Sequence, residues 1–127
     1  MSMRCTEMTP GRRFDVLLDY GEGINQALRE LARREHIDTA VITAGLGGFD
    51  RFSLDYSGKA GQHWSSCVLQ LAAVQGMILN GEPQVHAVVT LDGRDGITRV
   101  GRVGEDSTRL FYCQMLVQEL CPVGDEV

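Results

Sequence analysis

The chain has 127 residues, a length that fits one domain, and residues 1–127 are treated as a single domain with its core at about 14–120. With 43% hydrophobic and 23% charged residues, the composition excludes a disordered or fibrous chain. A net charge of −5 disfavours nucleic-acid binding by an isolated monomer, because phosphate contacts require a concentrated basic face. A domain of this size has a thin core, which self-assembly would supplement.

A strand and a helix are the first predicted elements. From Arg12 to Tyr20 apolar residues alternate with charged ones, which is typical of a half-buried strand. Leu17 interrupts the polar face of this strand, so we expect part of that side to be covered. Residues 21–37 place apolar side chains on one face at helical spacing and charged side chains on the other. This segment is predicted to be an amphipathic helix.

Residues 39–57 are predicted to form a buried strand, a bend at glycines 45, 47 and 48, and a second strand, with a polar loop over 58–63. The glycine cluster does not match a nucleotide-binding loop. The third glycine of G-x-G-x-x-G would fall at Asp50, and a strand rather than a helix follows. The glycines are therefore interpreted as a bend or bulge.

Tight turns punctuate the rest of the chain. Asn80-Gly81 and Asp92-Gly93 lie between apolar runs and predict hairpins, because their central residues accept positive φ. Further strands are predicted over 97–103 and 109–120. Hairpin-length connections favour antiparallel pairing. The predicted class is α+β, with a mostly antiparallel sheet of about seven strands.

The cysteines indicate the compartment. There are four of them, with no C-x-x-C pair, which favours reduced thiols and a cytoplasmic location. No apolar run approaches the roughly 20 residues needed to span a bilayer, so no membrane association is expected. These cysteines are Cys5, Cys67, Cys113 and Cys121.

Histidine carries the clearest potential for chemistry. His86 lies mid-strand and shares a face with Gln84 and Val88. The ordinary interpretation is a histidine hydrogen-bonded at a subunit or sheet surface. A zinc site is the alternative, and it usually needs three protein ligands, to which His63 could contribute. A nucleophile in the segment Ser65–Cys67 would need a histidine folded beside it, and nothing in the sequence requires one, so no catalytic residue is assigned.

Arginines 94, 99, 102 and 109 gather near one predicted hairpin. Arg99 and Arg102 are three residues apart, so they point to opposite faces of a strand unless Gly101 marks a bulge. A solvated surface is the ordinary interpretation, and an anion or nucleic-acid site is the alternative.

Three segments in this order resemble a known family. They are GINQALRELARREHI, TAVITAGLGGFDRFSLDY and GMILNGEPQVHAVVTLDGRDG. The chain is similar to the plants-and-prokaryotes conserved (PPC) domain, found behind AT-hooks in plant nuclear proteins and standing alone in bacteria and archaea. The most specific part is G-x-I-x-x-x-G-E-P-x-V-H, present as Gly76, Ile78, Gly81, Glu82, Pro83, Val85 and His86.

The resemblance spans about 14–120 and implies a mostly antiparallel sheet with flanking helices, assembled as a homotrimer. It also implies the name of DNA-binding protein that many members carry. In the plant relatives DNA contact is attributed to the AT-hook, whose R-G-R-P core does not occur in this sequence. Because the chain is also acidic, DNA is a weakly supported partner.

Many prokaryotic members resemble carriers of a histidine set. One histidine stands two residues after the position of His86, and another lies in a downstream G-G-H stretch. Val88 and Arg102 occupy those positions here, so we expect no metal and no cofactor. Arg102 would instead suit a carboxylate or phosphate near His86. The candidate ligand-binding residues are His86, Arg102 and Arg99.

Three functions follow as hypotheses. The first is an oligomeric interaction module, part of a regulatory complex and without catalysis. The second is a small anionic-ligand site, binding or enzymatic, near His86 and Arg102. The third is DNA binding through an arginine face that trimerisation creates.

Overall fold

The structure is a computed structural model that describes residues 3–56, 59–91, 98–104 and 108–124. One helix and six strands occur within these ranges. In chain order they are β1 (Met8–Leu17), α1 (Ile24–Glu35), β2 (Thr39–Tyr56), β3 (Lys59–Leu79), β4 (Glu82–Leu91), β5 (Thr98–Val103) and β6 (Thr108–Pro122).

All six strands belong to one antiparallel sheet in the order β1-β6-β2-β3-β4-β5. The far end of β2 also pairs with β5, where Leu54 lies opposite Val103 and Asp55 lies opposite Arg102. Strands β2, β3, β4 and β5 therefore form a closed ring of neighbours. Strand β1 stands at the open end of the order, paired with β6.

Helix α1 covers the inner face of the sheet. Its apolar stripe is buried together with side chains of the inner face, and the whole set forms one core cluster. The helix begins after Gly23 and ends at His36, which adopts the left-handed conformation at φ 55°. Of the residues described, none belongs to a helix that is both long and apolar enough to cross a bilayer. The amphipathic helix predicted over 21–37 is confirmed.

Arg12 ties three elements together at a register shift in β1. Its Nε donates to Oε1 of Glu119 in β6 at 2.9 Å, and its Nη1 donates to Oε1 of Glu35 at the end of α1 at 3.2 Å. The hydrogen bond from the Arg12 side chain, helped by the Arg12 backbone N–H, holds the pKa of the Glu119 carboxyl below its ordinary value. This group fixes the edge of the sheet to the helix.

Several details that were predicted for the strands and helices differ from the structure. Within the described residues the sheet has six strands rather than about seven, and there is one helix rather than several flanking helices. Residues 39–56 form one strand rather than two, and its register with β6 shifts between Gly48 and Phe49, beside the glycine cluster that was interpreted as a bend or bulge. Two of these glycines also admit close neighbours. A Cβ atom at Gly47 would lie 2.6 Å from the carbonyl oxygen of Tyr112 in β6, and one at Gly45 would overlap the Val74 side chain. Residues 59–63, predicted as a loop, belong to β3, with Lys59 opposite Tyr56.

The turn between β3 and β4 is confirmed. Asn80 and Gly81 have φ of 53° and 78°, the combination that a tight two-residue hairpin requires. The backbone N–H of Gly81 donates to the carbonyl of Asp38 at 3.0 Å, which fixes the hairpin against the start of β2. The hairpin predicted at Asp92-Gly93 lies outside the described residues.

Candidate functional site

His86 and Arg102 lie directly opposite each other on β4 and β5. Both side chains are exposed, whereas Val85, Ala87 and Val103 beside them are buried. Strand alternation therefore puts His86 and Arg102 on the same, outer face of the sheet. Directly opposed residues of an antiparallel pair have Cβ atoms about 4.5–5.5 Å apart, so one small ligand can contact both.

Gln75 extends this pair into a row. It lies opposite His86 on β3 and is exposed on the same outer face. The backbone of Asp55 in β2 continues the row beyond Arg102. We call Gln75, His86 and Arg102 the polar row. An imidazole, a guanidinium and an amide offer hydrogen-bond donors side by side, an arrangement that suits a carboxylate or phosphate.

The other arginine of the predicted site is placed differently. The β4–β5 ladder runs without a shift from His86–Arg102 to Thr90–Thr98, and Arg99 lies opposite Val89. Position 99 therefore has the opposite parity to position 102, and Gly101 is not a bulge. The backbone does not bring the two arginines to one face.

A zinc site was the alternative considered for His86, and it needs a cluster of protein ligands. Within the described part of the chain, no three His, Cys, Asp or Glu side chains come close enough to hold a metal ion. Val88 lies opposite Val100, so an apolar pair adjoins the polar row. His63 lies opposite Ser53 towards the other end of β3, where its neighbours are β2 residues rather than His86.

Most residues of the signature segment have a structural role, which distinguishes them from His86. The lack of a side chain at Gly76 allows the backbone of β4 to approach β3 closely. A Cβ atom at position 76 would lie 2.9 Å from the Val85 Cα and closer still to the Gln84 carbonyl. Glu82 accepts a hydrogen bond from Nε of Arg29 at 3.1 Å and links β4 to α1. The remaining structural members are buried or form the turn, and they are Ile78, Gly81, Pro83 and Val85. Glu82 and His86 are the two signature members with exposed side chains, and His86 lies on the outer face of the sheet.

A second surface lies on the outer face of β1, β6 and β2. Leu17, Leu46 and Leu116 are 58%, 55% and 46% exposed there. Leu17 and Leu46 flank Gln114 in one row, and Leu116 lies in the adjacent row beside Ala44. We call Leu17, Leu46, Leu116 and Ala44 the outer apolar patch. A depression of about 170 Å³ opens within it, lined by Ala44, Gly45, Leu46, Gln114 and Leu116.

Sequence reasoning identified His86 and Arg102 of the polar row but missed Gln75, and it missed most of the outer apolar patch. The interruption of the polar face at Leu17 indicated a covered side and was the signal of the patch that the sequence analysis used. Leu116 carries a similar signal, since it falls on the otherwise polar face of β6. Gln75 was identifiable as the outward position of an apolar strand, but its proximity to His86 depends on the hairpin register.

An antiparallel sheet of six strands, in which β2, β3, β4 and β5 form a closed ring and one helix covers the inner face, defines a small α+β domain. The signature segment forms the β3–β4 hairpin of this sheet. The family model of the Plants and Prokaryotes Conserved (PCC) domain matches residues 5–121. The chain therefore belongs to this family, as the resemblance predicted. No curated protein matches the chain.

Solved structures share the fold. A plant- and prokaryote-conserved protein of Pyrococcus horikoshii is 24% identical, with a TM-score of 0.71, and the match covers 94% of this chain and 85% of that one. A metal-containing protein of Archaeoglobus fulgidus is 21% identical, with a TM-score of 0.71 and coverage of 94% and 87%. A candidate DNA-binding protein of Bacteroides thetaiotaomicron is 15% identical, with a TM-score of 0.69 and coverage of 94% and 86%. At these identities the likenesses show the fold alone.

Proposed function

We propose that the chain is a self-assembling interaction module, active as a homotrimer in the cytoplasm and without catalysis of its own. The outer apolar patch carries this proposal. Contiguous exposed apolar surface, rimmed by polar groups, marks an interaction site far more often than scattered single residues do. The rim is present here, since Arg13, Asp15 and Gln118 lie beside the patch on β1 and β6.

The energetics favour assembly. Full burial of a leucine side chain contributes about 1.5–3 kcal/mol, so covering the exposed half of each patch leucine contributes roughly 1 kcal/mol per side chain. In a trimer, burial of three leucines from each protomer would offset part of the entropic cost of association. A thin core gives the monomer a further reason to assemble.

Charge insertion tests the proposal. Leu46→Lys and Leu116→Lys should dissociate the assembly in sedimentation equilibrium while the far-ultraviolet circular dichroism spectrum is kept. Leu79→Lys is the matched control, because Leu79 is 44% exposed and lies at the hairpin end of β3, away from the patch. Equal masses for all three variants and the unaltered chain would refute the role of the patch.

The polar row supports a second function, the binding of a small anion. The carrying observation is that β4–β5 pairing sets His86 directly opposite Arg102 with both side chains exposed. Among the ion pairs of the described residues, none involves His86 or Arg102. A bidentate carboxylate or phosphate on the guanidinium, with the imidazole as a further donor, matches this geometry.

Thermal-shift measurements with citrate, inorganic phosphate and pyrophosphate test the anion site. At least one of these anions should raise the melting temperature of the unaltered chain. His86→Ala and Arg102→Ala should each abolish the shift. Gln84→Ala, an exposed change on the same strand, should keep it. Unchanged shifts in the His86 and Arg102 variants would remove this function.

DNA binding is a third function, and only the family resemblance and a neighbour's name suggest it. The Bacteroides neighbour is named for candidate DNA binding, and trimerisation could gather arginines on one face. Against this stands the net charge of −5. Binding of this kind must weaken steeply as salt rises, so a gel shift that is absent even at low salt would dispose of it.

A further inference from the structure

Strand β1 leaves one edge of the sheet open beside the helix. It is the terminal strand of the sheet order, and among the described residues it pairs with β6 on one side only. An open edge presents unpaired backbone N–H and C=O groups, which readily pair with another extended segment. The edge adjoins the outer apolar patch, because Leu17 belongs to both, and it is distinct from the polar row on β3, β4 and β5.

A groove of about 280 Å³ runs between that open edge and α1. The strand wall is formed by Phe14–Leu17. The helix wall is formed by Ala27, Glu30, Leu31 and Arg34, which share one helical face because they are three, four and seven residues from Ala27. The half-buried side chains of Phe14 and Val16 give the groove an apolar floor.

The rim of the groove is acidic. Four carboxylates line it, against the single guanidinium of Arg34. These carboxylates belong to Asp15, Asp19, Glu22 and Glu30. Arg34 is paired with Glu35 at 3.4 Å, and Glu30 is paired with Arg33. The carboxylate of Asp19 forms no ion pair within the described residues, so the rim retains negative charge for a cationic partner.

We propose that this groove binds an extended, basic peptide segment of a partner protein, which adds a strand to β1. Backbone pairing with Phe14–Leu17 would hold the segment, alternate side chains would reach the apolar floor, and Lys or Arg side chains would meet the acidic rim. Four residues of strand span about 13 Å, and the helix face from Ala27 to Arg34 spans about 10 Å, so the groove fits a core of about four residues.

The remainder of β1 is closed to pairing, which limits the site to this stretch. Pro10 has no backbone N–H, and the strand shifts register between Pro10 and Arg13. The Arg12 side chain crosses towards the end of α1 and bonds to the carbonyl of Glu35 at 2.6 Å. The regular, open part of the edge is therefore Phe14–Leu17.

A labelled peptide tests the proposal on the full chain. A fluorescein-labelled octapeptide of alternating arginine and valine should bind in fluorescence anisotropy, and its binding should move the amide resonances of Phe14–Leu17 in ¹⁵N-correlated spectra. The same peptide with alternate backbone nitrogens methylated should lose binding, because it cannot pair with the edge. A glutamate–valine peptide should not bind.

Asp19→Asn and Glu30→Gln should each weaken binding about two- to five-fold, the range expected for an exposed ion pair. Glu82→Gln is the matched control, since Glu82 is an exposed carboxylate outside the groove, and it should bind as the unaltered chain does. Equal affinity for the methylated peptide, or amide shifts confined to other strands, would overturn the proposal. So would slow hydrogen exchange at both edges of β1 without peptide, because a second copy of the chain would then occupy the edge.

Discussion

Gly76→Ala tests how the fold builds the face that carries His86. Gly76 lies opposite Val85 in the β3–β4 ladder, between the pairs Gln75–His86 and Met77–Gln84. An added Cβ atom would lie 2.9 Å from the Val85 Cα and nearer still to the Gln84 carbonyl oxygen, so it would meet backbone rather than a flexible side chain. Real Cβ atoms essentially never approach a neighbour below 3.0 Å, and β4 must therefore move.

The size of the effect follows from two opposing terms. Overpacking of this kind costs about 1–3 kcal/mol. Replacing glycine restricts the unfolded chain and returns about 0.4–1 kcal/mol. The net expectation is a loss of about 1–2 kcal/mol in the free energy of unfolding.

Urea unfolding followed by circular dichroism, at one fixed protein concentration, measures this loss. Gln75→Ala is the control, because an exposed neighbour on the same strand should change stability by less than about 0.5 kcal/mol. A Gly76→Ala protein as stable as the unaltered chain would refute the close approach of β3 and β4.

Three further changes test the core and its polar contacts. Ile78→Ala should cost about 2–5 kcal/mol, because Ile78 is fully buried in the core cluster. Asn25→Asp should cost about 3 kcal/mol or more at neutral pH, since the buried Asn25 Nδ2 donates to the Val103 carbonyl at 3.0 Å and a carboxylate cannot. Burial should raise the pKa of the introduced carboxyl, so stability should recover as pH falls and the group protonates. Glu119→Gln should lower stability at pH 7. Because Arg12 lowers the Glu119 pKa, the native contribution is complete above the ordinary carboxyl pKa and is lost as pH falls through the folded-state value, so urea midpoints of the two proteins should converge in acid.

The sequence predicted those elements whose conformation depends mainly on residues close together in the chain. The helical period between residues 21 and 37 was sufficient for α1, and the positive φ that Asn80-Gly81 tolerates was sufficient for the β3–β4 hairpin. Both depend on residues close together in sequence.

The long strand could not be predicted in the same way. Glycine is equally suited to a bend and to a strand that another backbone approaches closely. At Gly45 and Gly47 the second use applies, and the neighbours that decide it are Val74 in β3 and Tyr112 in β6. No local pattern around residues 45–48 contains that information.

Only part of the candidate site could be predicted from the sequence. Alternation placed His86 on an outward face, but its distance from Arg102 depends on the β4–β5 register, which the sequence does not determine. The outer apolar patch was harder to find, because it forms only when β6 lies between β1 and β2 and brings Leu17, Leu116 and Leu46 into neighbouring rows.

Sedimentation equilibrium of the unaltered chain tests self-assembly most directly. The chain mass is 14.0 kDa, so a trimer has a mass of about 42 kDa, and we expect that mass at micromolar concentration. Leu46→Lys should return the value towards the chain mass. A mass of 14.0 kDa for the unaltered chain at every concentration would contradict the proposal that it functions as an assembled module.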